Sequence, residues 1–310
     1  MTPSDPQTHQ PRRAPSMLDL VRLSPRPLFP PGGEPMYRQI ALLAGMSAGT
    51  EVLDVGCGRA VPLEYFAREF EVQGAGIEQD AALVHDAVDR IRSRELGGRV
   101  QVQQAPPDHL PYRDEVFDVA VGEVEMTASA DPAAAVKELV RVTRPGGVVV
   151  LIQLVWLAPV EAHRRELLAE HLGVRPRMLV EWKRMLREAG VAELHTEDWS
   201  DPDTAFRSGG VKPFADFAEL FSLWEKIGIL RRAWARWGWT GVRTVLARER
   251  EVHRLLTRER VLGLDLIKGI KTAAVVGVEP DPPDDDPPET DPATDPGDTR
   301  GLPLFRPEST

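Results

Sequence analysis

The chain contains one cysteine, Cys57, among 310 residues, and its seven histidines are scattered. A single cysteine excludes an intramolecular disulfide and leaves no cysteine cluster for zinc or arsenic chemistry. No two histidines stand four residues apart, so the sequence predicts no metal site. Such sparse cysteine fits a reducing compartment, and the expected localisation is cytoplasmic.

Long apolar runs are also lacking. No stretch reaches the ~18 apolar residues that a membrane-spanning helix requires. The first residues, MTPSDPQTHQPRRAP, contain no apolar core of the kind found in a secretory signal peptide. Both absences argue against secretion and integral membrane insertion.

Proline and acidic charge are concentrated at the two ends. Nine of the 28 prolines fall in residues 1–35 and nine more in residues 279–310. The second segment carries ten Asp/Glu against two Arg, so it holds −8 of the formal charge of −10. This composition predicts a Pro-rich N-terminal segment (1–35) and a disordered acidic tail (280–310). The tail is interpreted as a solubilising extension, or as a docking motif through Leu302, Leu304 and Phe305.

The most informative segment is EVLDVGCGRA, at residues 51–60. A strand-like apolar run meets Asp54 and then two glycines, Gly56 and Gly58, on either side of Cys57. Glycine lets the main chain turn sharply and approach a polar ligand closely. Val61 stands where a G-x-G-x-x-G dinucleotide fingerprint requires its third glycine, which disfavours NAD and FAD.

A second acidic residue follows at the corresponding point of the next strand. In VQGAGIEQD, Glu78 ends an apolar run 20 residues after Gly58. A carboxylate at this edge of an α/β sheet can accept two hydrogen bonds from a ribose diol. With the later segments FDVAVGEVEM, RVTRPGG and VVVLIQLVW, the chain resembles the class I S-adenosylmethionine (SAM) dependent methyltransferases, in particular their small-molecule and quinone-type branch. The resemblance covers about residues 36–200.

Strand-like and helical runs alternate along this region, which favours an α/β fold with a mostly parallel sheet. The resemblance implies a Rossmann-like seven-stranded sheet whose last strand pairs antiparallel at the sheet edge. The expected domains are a SAM-binding core (36–200), a helical, basic and Trp-rich insertion between strands six and seven (201–271), the last strand (272–279) and the acidic tail. Such an insertion is expected to form a lid over the active site.

The resemblance implies SAM as cofactor and assigns it contacts at strand ends and in the loop after the third strand: Asp54, Gly56, Cys57, Gly58, Glu78, Gln79, Pro106, Pro107, Asp108, Gly122 and Glu123. Asp54 is expected near the methionine amino group, Glu78 at the ribose and Glu123 beside the reactive methyl. Glu123 and Tyr37 are the candidate catalytic residues. Simpler interpretations are a helix cap for Asp54, exposed charges for Glu78 and Glu123, and a packing aromatic for Tyr37.

The loop QQAPPDHLPY departs from the family pattern. Pro106 stands where many relatives have an acidic residue facing the adenine amino group. Pro107 stands where a backbone N–H commonly meets the adenine ring, and proline has no N–H. We therefore expect Asp108 or His109 to replace these contacts, with Asp108 preferred, or adenine to be held by apolar contact alone.

Residues 226–260 contain ten Lys/Arg against three Asp/Glu, with four tryptophans within or beside them. Such a segment suits an anionic membrane surface, a phosphate group, a hydrophobic substrate pocket, or a solvated basic face. GEVEMT follows strand four in place of an Asn-Pro-Pro-Tyr-like or cysteine-based motif, which argues against a nucleic-acid partner. The sequence thus predicts methyl transfer to a small or lipophilic metabolite. The alternative is an inactive module that binds SAM or S-adenosylhomocysteine (SAH). The sequence identifies neither the methyl acceptor nor the oligomeric state.

Overall fold

Short apolar strands alternate with amphipathic helices, as the sequence pattern predicts. A computed structural model describes residues 19, 23, 24, 28–124, 126, 131–200, 222–257 and 261–273. The strands are β1 (Glu51–Val55), β2 (Gln73–Glu78), β3 (Val100–Gln104), β4 (Phe117–Gly122), β5 (Thr143–Trp156), β6 (Arg177–Met178), β7 (Val191–Asp198) and β8 (Leu262–Lys271). The helices are α1 (Gly33–Leu43), α2 (Val61–Glu69), α3 (Ala81–Ser93), α4 (Pro132–Val142), α5 (Ala162–Leu172), α6 (Leu179–Glu188) and α7 (Leu223–Thr257).

The strands form one sheet in the order β3-β2-β1-β4-β5-β8-β7, and the two-residue strand β6 pairs with the end of β5. Neighbouring strands from β3 to β5 are parallel, whereas β8 is antiparallel to both β5 and β7. The predicted α/β class with a mostly parallel sheet is therefore confirmed. Val55 is in register with both Ile77 and Gly122, which brings the carboxyl ends of β1, β2 and β4 side by side.

Alternate residues of each central strand face opposite layers of the core. Val52 packs in a cluster with Tyr37 of α1, whereas its neighbour Leu53 packs in a cluster with Leu139 of α4 and Trp182 of α6. This burial on both faces explains why the sequences of the central strands are nearly continuous apolar runs. Burying one leucine of this kind contributes about 1.5–3 kcal/mol.

The last described strand corrects two expectations. It spans Leu262–Lys271 rather than 272–279, and it lies between β5 and β7 rather than at the sheet edge. The sequence prediction placed Leu266 in the helical insertion (201–271), but Leu262, Leu264 and Leu266 alternate with the period of a strand. Strand β7 forms the edge, and its burial alternates, as expected for a strand with one covered face. Residues 274–310, including the predicted tail, lie outside the described residues.

A long helical segment lies between β7 and β8, as predicted for the region between strands six and seven. Helix α7 begins with a capping box, in which the Ser222 N–H donates to Glu225 and the Glu225 N–H donates to the Ser222 hydroxyl. Gly238, with φ of 69°, interrupts the helix and divides it into two segments. Residues 201–221 of the predicted insertion lie outside the described residues.

Candidate cofactor and active site

A tight backbone turn follows β1. Gly56 and Gly58 have φ values of 85° and 52°, which only glycine adopts without strain. The N–H groups of Gly56 and Cys57 both donate to the carbonyl oxygen of Ile77, at 2.8 and 3.1 Å. These two hydrogen bonds hold the turn against the carboxyl end of β2.

Glu78 is 3% exposed and stabilises the same turn. Its Oε2 accepts a hydrogen bond from the Gly58 N–H at 3.1 Å, and its Oε1 accepts one from the Asp80 N–H at 2.9 Å. A carboxylate offers about four lone-pair sites, so each oxygen keeps acceptor capacity for a ligand. Glu78 is therefore not the exposed strand end of the simpler interpretation.

Asp54 is fully buried at the end of β1, and neither of its carboxylate oxygens accepts a hydrogen bond from any of the described residues. Burial, with a smaller effect of the Glu78 carboxylate, raises the pKa of Asp54 to about 8. An unpaired carboxyl group at this depth is costly. A cationic donor such as the ammonium group of SAM would satisfy it, so the site has the polar atoms that this cofactor requires. The helix-cap interpretation is not supported, because the Asp54 carboxylate accepts no N–H.

A cleft at the carboxyl edge of the sheet brings four of the predicted residues together. It is lined by Val55, Gly56, Ile77, Glu78, Gln79, Ala105, Pro107 and Met126. Gly56 comes from the turn, Glu78 and Gln79 from the end of β2, and Pro107 from the loop after β3.

The three predicted residues of the loop after β3 differ in their exposure to solvent. Pro107 is buried, Asp108 is half-buried and Pro106 is exposed. The Pro106 carbonyl accepts a hydrogen bond from the His109 N–H at 3.2 Å, which closes the loop on itself. Of these residues, only Pro107 lines the cleft.

Cys57 is buried on the far side of the turn, where it packs in a cluster with Leu63 and Ala67 of α2. A Cβ atom added to Gly76 would lie 2.7 Å from the Cys57 Sγ. The Cys57 side chain thus belongs to the core, and the predicted cofactor contact would have to use its backbone.

Tyr37 and Glu123 form a buried hydrogen-bonded pair. The Tyr37 hydroxyl lies 2.8 and 2.9 Å from the two Glu123 carboxylate oxygens, and both residues are at most 2% exposed. Burial, followed by the charges of Glu123 and Asp54, raises the pKa of Tyr37 well above its ordinary value. The hydroxyl therefore keeps its proton and donates a hydrogen bond to the Glu123 carboxylate. This pairing brings two predicted catalytic residues together near Asp54, and it excludes an exposed position for Glu123.

Backbone contacts fix Glu123 directly after β4. Its N–H donates to the Val55 carbonyl at 2.9 Å, and its own carbonyl accepts from the Gln153 side-chain amide at 3.0 Å. Gln153 is fully buried in β5, and sequence reasoning did not identify it. The available signal was one polar residue inside the apolar run VVVLIQLVW.

Gly122 is required by close packing at the end of β4. A Cβ atom at this position would overlap the Met126 sulfur and lie 2.7 Å from Leu151. Met126 in turn lines the cleft, so Gly122 allows the chain after β4 to fold back toward the cofactor side.

Two further properties concern the described residues only. They contain no group of three or more His, Cys, Asp or Glu side chains arranged to hold a metal ion. None of their helices is long and apolar enough to cross a bilayer.

Residues 53–151 match a family model described as a methyltransferase domain. Methyltransferase GfsG of Streptomyces halstedii is 38% identical over 40% of this chain and 44% of its own length. The 27-O-demethylrifamycin SV methyltransferase of Amycolatopsis mediterranei is 32% identical over 51% of this chain and 61% of its own length. The chain thus spans about half the length of these curated relatives.

A longer match connects the chain to O-methyltransferase resE of Aspergillus sclerotiorum, with 30% identity over 61% of this chain and 70% of the relative. Among solved structures, the [4+2]-cyclase SpnF shares the fold, with a TM-score of 0.60 and 23% identity over 77% of this chain and 80% of that structure. The glycine turn, the two strand-end carboxylates and these similarities define the class of the domain. The chain belongs to the class I SAM-dependent methyltransferase family.

Proposed function

We propose that the protein transfers a methyl group from SAM to a small or lipophilic metabolite. The observation that carries this proposal is the Asp54 carboxylate, which is fully buried beside the glycine turn and has no hydrogen-bond partner for either oxygen in the part of the chain that the structure describes. The names of the relatives support small-molecule acceptors, since one is a demethylrifamycin methyltransferase and another an O-methyltransferase.

The residues divide between two ends of the cofactor. Asp54 would accept hydrogen bonds from the ammonium group, and Glu78 would bind the ribose hydroxyls while it holds the turn through Gly58. When bound, SAM supplies an electrophilic methyl group carried by a sulfonium. The protein contributes orientation and the exclusion of water, and orientation alone supplies ~7–11 kcal/mol of such a barrier.

Glu123 is the proposed acceptor-side residue, because it directly follows β4 and lies near Asp54. Its carboxylate orients the acceptor and takes the acceptor proton where that proton must leave. Tyr37 is a positioning residue, since its hydroxyl holds Glu123 from 2.8 Å. Gln153 fixes the backbone of Glu123 from the other side.

The test begins with calorimetric titration of the full chain with SAM and with SAH. We expect binding of both, and we expect Asp54→Asn to weaken SAM binding more than tenfold. Incubation with methyl-labelled SAM and a metabolite extract then reports transfer. If the protein bound neither SAM nor SAH, the proposal would be overturned.

The alternative is a SAM- or SAH-binding interaction module without catalysis. Pro107 supports this alternative, because it lines the cleft but has no N–H to donate to adenine. The resemblance to a structure named a cyclase also means that the fold by itself does not specify methyl transfer. Tight SAM binding with no labelled product from any extract would favour this alternative.

A separate experiment tests which residue contacts the adenine ring of SAM. If the half-buried Asp108 replaces the missing adenine contact, Asp108→Ala raises the dissociation constant of SAM about tenfold, the equivalent of ~1.4 kcal/mol. Arg113→Ala, at an exposed position of the same connection between β3 and β4, is the matched control. An unchanged affinity in Asp108→Ala, beside a loss in Glu78→Ala, would leave adenine held by apolar contact alone.

A further inference from the structure

Helix α7 presents an apolar surface to solvent. Five side chains form this surface, with exposed fractions from 42% to 80%, and we call them the tryptophan face: Leu223, Trp224, Ile227, Trp234 and Trp239. Leu223, Ile227 and Trp234 follow one another at spacings that place them on the same side of the first helical segment. Three of the seven tryptophans of the chain are thus at least 61% exposed.

The opposite side of α7 is already used for packing. Ile229, Ala233 and Val242 are at most 3% exposed and form a cluster that includes Leu23 and Leu28. The helix therefore does not need the tryptophan face to attach it to the rest of the described chain. Exposed tryptophans are costly in water, so a second partner for this surface is expected.

Positive charge borders the tryptophan face. The described side chains from 222 to 247 include five Lys/Arg and one acidic residue, Glu225, in a chain whose formal charge is −10. Arg231, Arg232, Arg236 and Arg243 are all exposed. The surface thus combines apolar side chains with a net positive charge that the protein as a whole does not have.

We propose that the tryptophan face and its bordering arginines dock the protein on an anionic lipid surface. Tryptophan prefers the interface between lipid headgroups and acyl chains, and arginine pairs with lipid phosphate. Leu223 and Ile227 favour lipid over nucleic acid, because an aliphatic side chain buries in acyl chains but does not stack on a base. Trp239 follows the kink at Gly238 and is included for its exposure of 70%, not for its helical spacing.

The test uses the full chain and two kinds of vesicle: phosphatidylcholine alone, and an equal mixture with phosphatidylglycerol. We expect co-sedimentation at least tenfold stronger with the anionic vesicles. Salt near ~1 M weakens it, since the Debye length falls from ~10 Å at 0.1 M to ~3 Å. Tryptophan emission shifts to shorter wavelength as Trp224, Trp234 and Trp239 leave water.

Two variants separate the apolar and charged parts of the surface. The triple variant Trp224→Ala, Trp234→Ala, Trp239→Ala is expected to lose at least nine tenths of the binding and the emission shift. Arg231→Ala with Arg232→Ala is expected to lose the preference for anionic vesicles. Val180→Ala and Arg92→Ala are the matched controls, because both residues are strongly exposed on other helices.

SAM affinity of the same variants is measured by calorimetry and is expected to stay unchanged, which separates this proposal from the methyl-transfer function. Failure to bind either vesicle would overturn the docking proposal, as would a triple variant that pellets like the wild type. Tryptophan-dependent binding to single-stranded RNA without vesicle binding would assign the surface to nucleic acid. A tryptophan-dependent dimer in sedimentation velocity, again without vesicle binding, would assign it to a second copy of the chain.

Discussion

The Gly58 backbone N–H donates to Glu78 Oε2 at 3.1 Å, although the two residues are 20 positions apart in sequence. The parallel pairing of β1 with β2 places both at the same edge of the sheet. The acidic residue proposed to bind the ribose therefore also fixes the conformation of the turn proposed to approach the cofactor. If Glu78 binds the ribose as proposed, this one carboxylate couples cofactor affinity to the stability of the turn.

We expect Glu78→Gln to affect both properties. The amide offers one acceptor oxygen, so its NH2 group would face either the Gly58 or the Asp80 N–H. The loss of one such hydrogen bond in a buried place lowers the free energy of unfolding by about 1–3 kcal/mol. We also expect the SAM dissociation constant to rise about tenfold. Urea denaturation and calorimetric titration measure the two effects.

Glu188→Gln provides the control, since Glu188 lies on the exposed surface of α6 and its side chain is 61% exposed. It should change neither quantity. A Glu78→Gln protein with wild-type SAM affinity would separate Glu78 from the cofactor.

The sequence was sufficient for the turn and the two strand-end acids, because local spacing encodes them. It did not reveal the Tyr37–Glu123 pair, whose partners are 86 positions apart and meet only when α1 packs on the sheet. Nor did it identify Gln153, whose hydrogen bond to the Glu123 carbonyl is a tertiary contact. The position of β8 was missed because the predicted helical insertion was extended to residue 271, although Leu262, Leu264 and Leu266 alternate as in a strand.

The second prediction concerns the packing beneath the turn. A Cβ atom at Gly76 would lie 2.7 Å from the Cys57 Sγ and 2.8 Å from the Leu63 Cδ1. We expect Gly76→Ala to lower the free energy of unfolding by about 1–3 kcal/mol through overpacking. Adding Cys57→Ala removes the first clash and should restore part of that loss.

The control is Gly97→Ala, because a Cβ atom there meets nothing within 4 Å. Its free energy of unfolding should change by at most about 0.5 kcal/mol. Equal effects of the two glycine substitutions, or additive effects of Gly76→Ala and Cys57→Ala, would contradict the proposed packing.

The third prediction tests Tyr37 as a positioning residue. Tyr37→Phe keeps the ring, which packs 6.0 Å from the ring of Phe66, but removes the hydroxyl that holds Glu123. A hydrogen bond to a charged group contributes about 1.5–3 kcal/mol, so stability should fall by that amount. We expect kcat to fall about tenfold, the equivalent of 1.4 kcal/mol, while the KM for SAM stays within about twofold.

Tyr65→Phe is the matched substitution, since Tyr65 lies in the neighbouring helix α2 with its ring 6.0 Å from Phe66. It should leave kcat unchanged. If Tyr37→Phe changed the KM for SAM but not kcat, the hydroxyl would act on cofactor binding rather than on Glu123.

The last prediction follows from the buried Asp54 carboxyl, whose pKa of about 8 lies above its ordinary value of 3.8. At a pH between these two pKa values, the Asp54 carboxyl is ionised in the unfolded chain but still protonated in the folded chain. The free energy of unfolding therefore falls as pH rises through this window. Asp54→Asn removes the titrating group, so its stability should fall less steeply with pH and exceed that of the wild type near pH 8.

Binding of SAM should lower the pKa of Asp54, because an ammonium group beside Asp54 favours the ionised carboxylate. Below about pH 8 each bound SAM then releases up to one proton, and affinity rises as pH increases. Calorimetry at pH 7 in two buffers with different ionisation enthalpies counts the released protons. Asp54→Asn should release none, whereas Asp114→Asn, at a side chain that is 72% exposed, should behave like the wild type. Equal proton release by the wild type and Asp54→Asn would show that Asp54 does not meet the ammonium group.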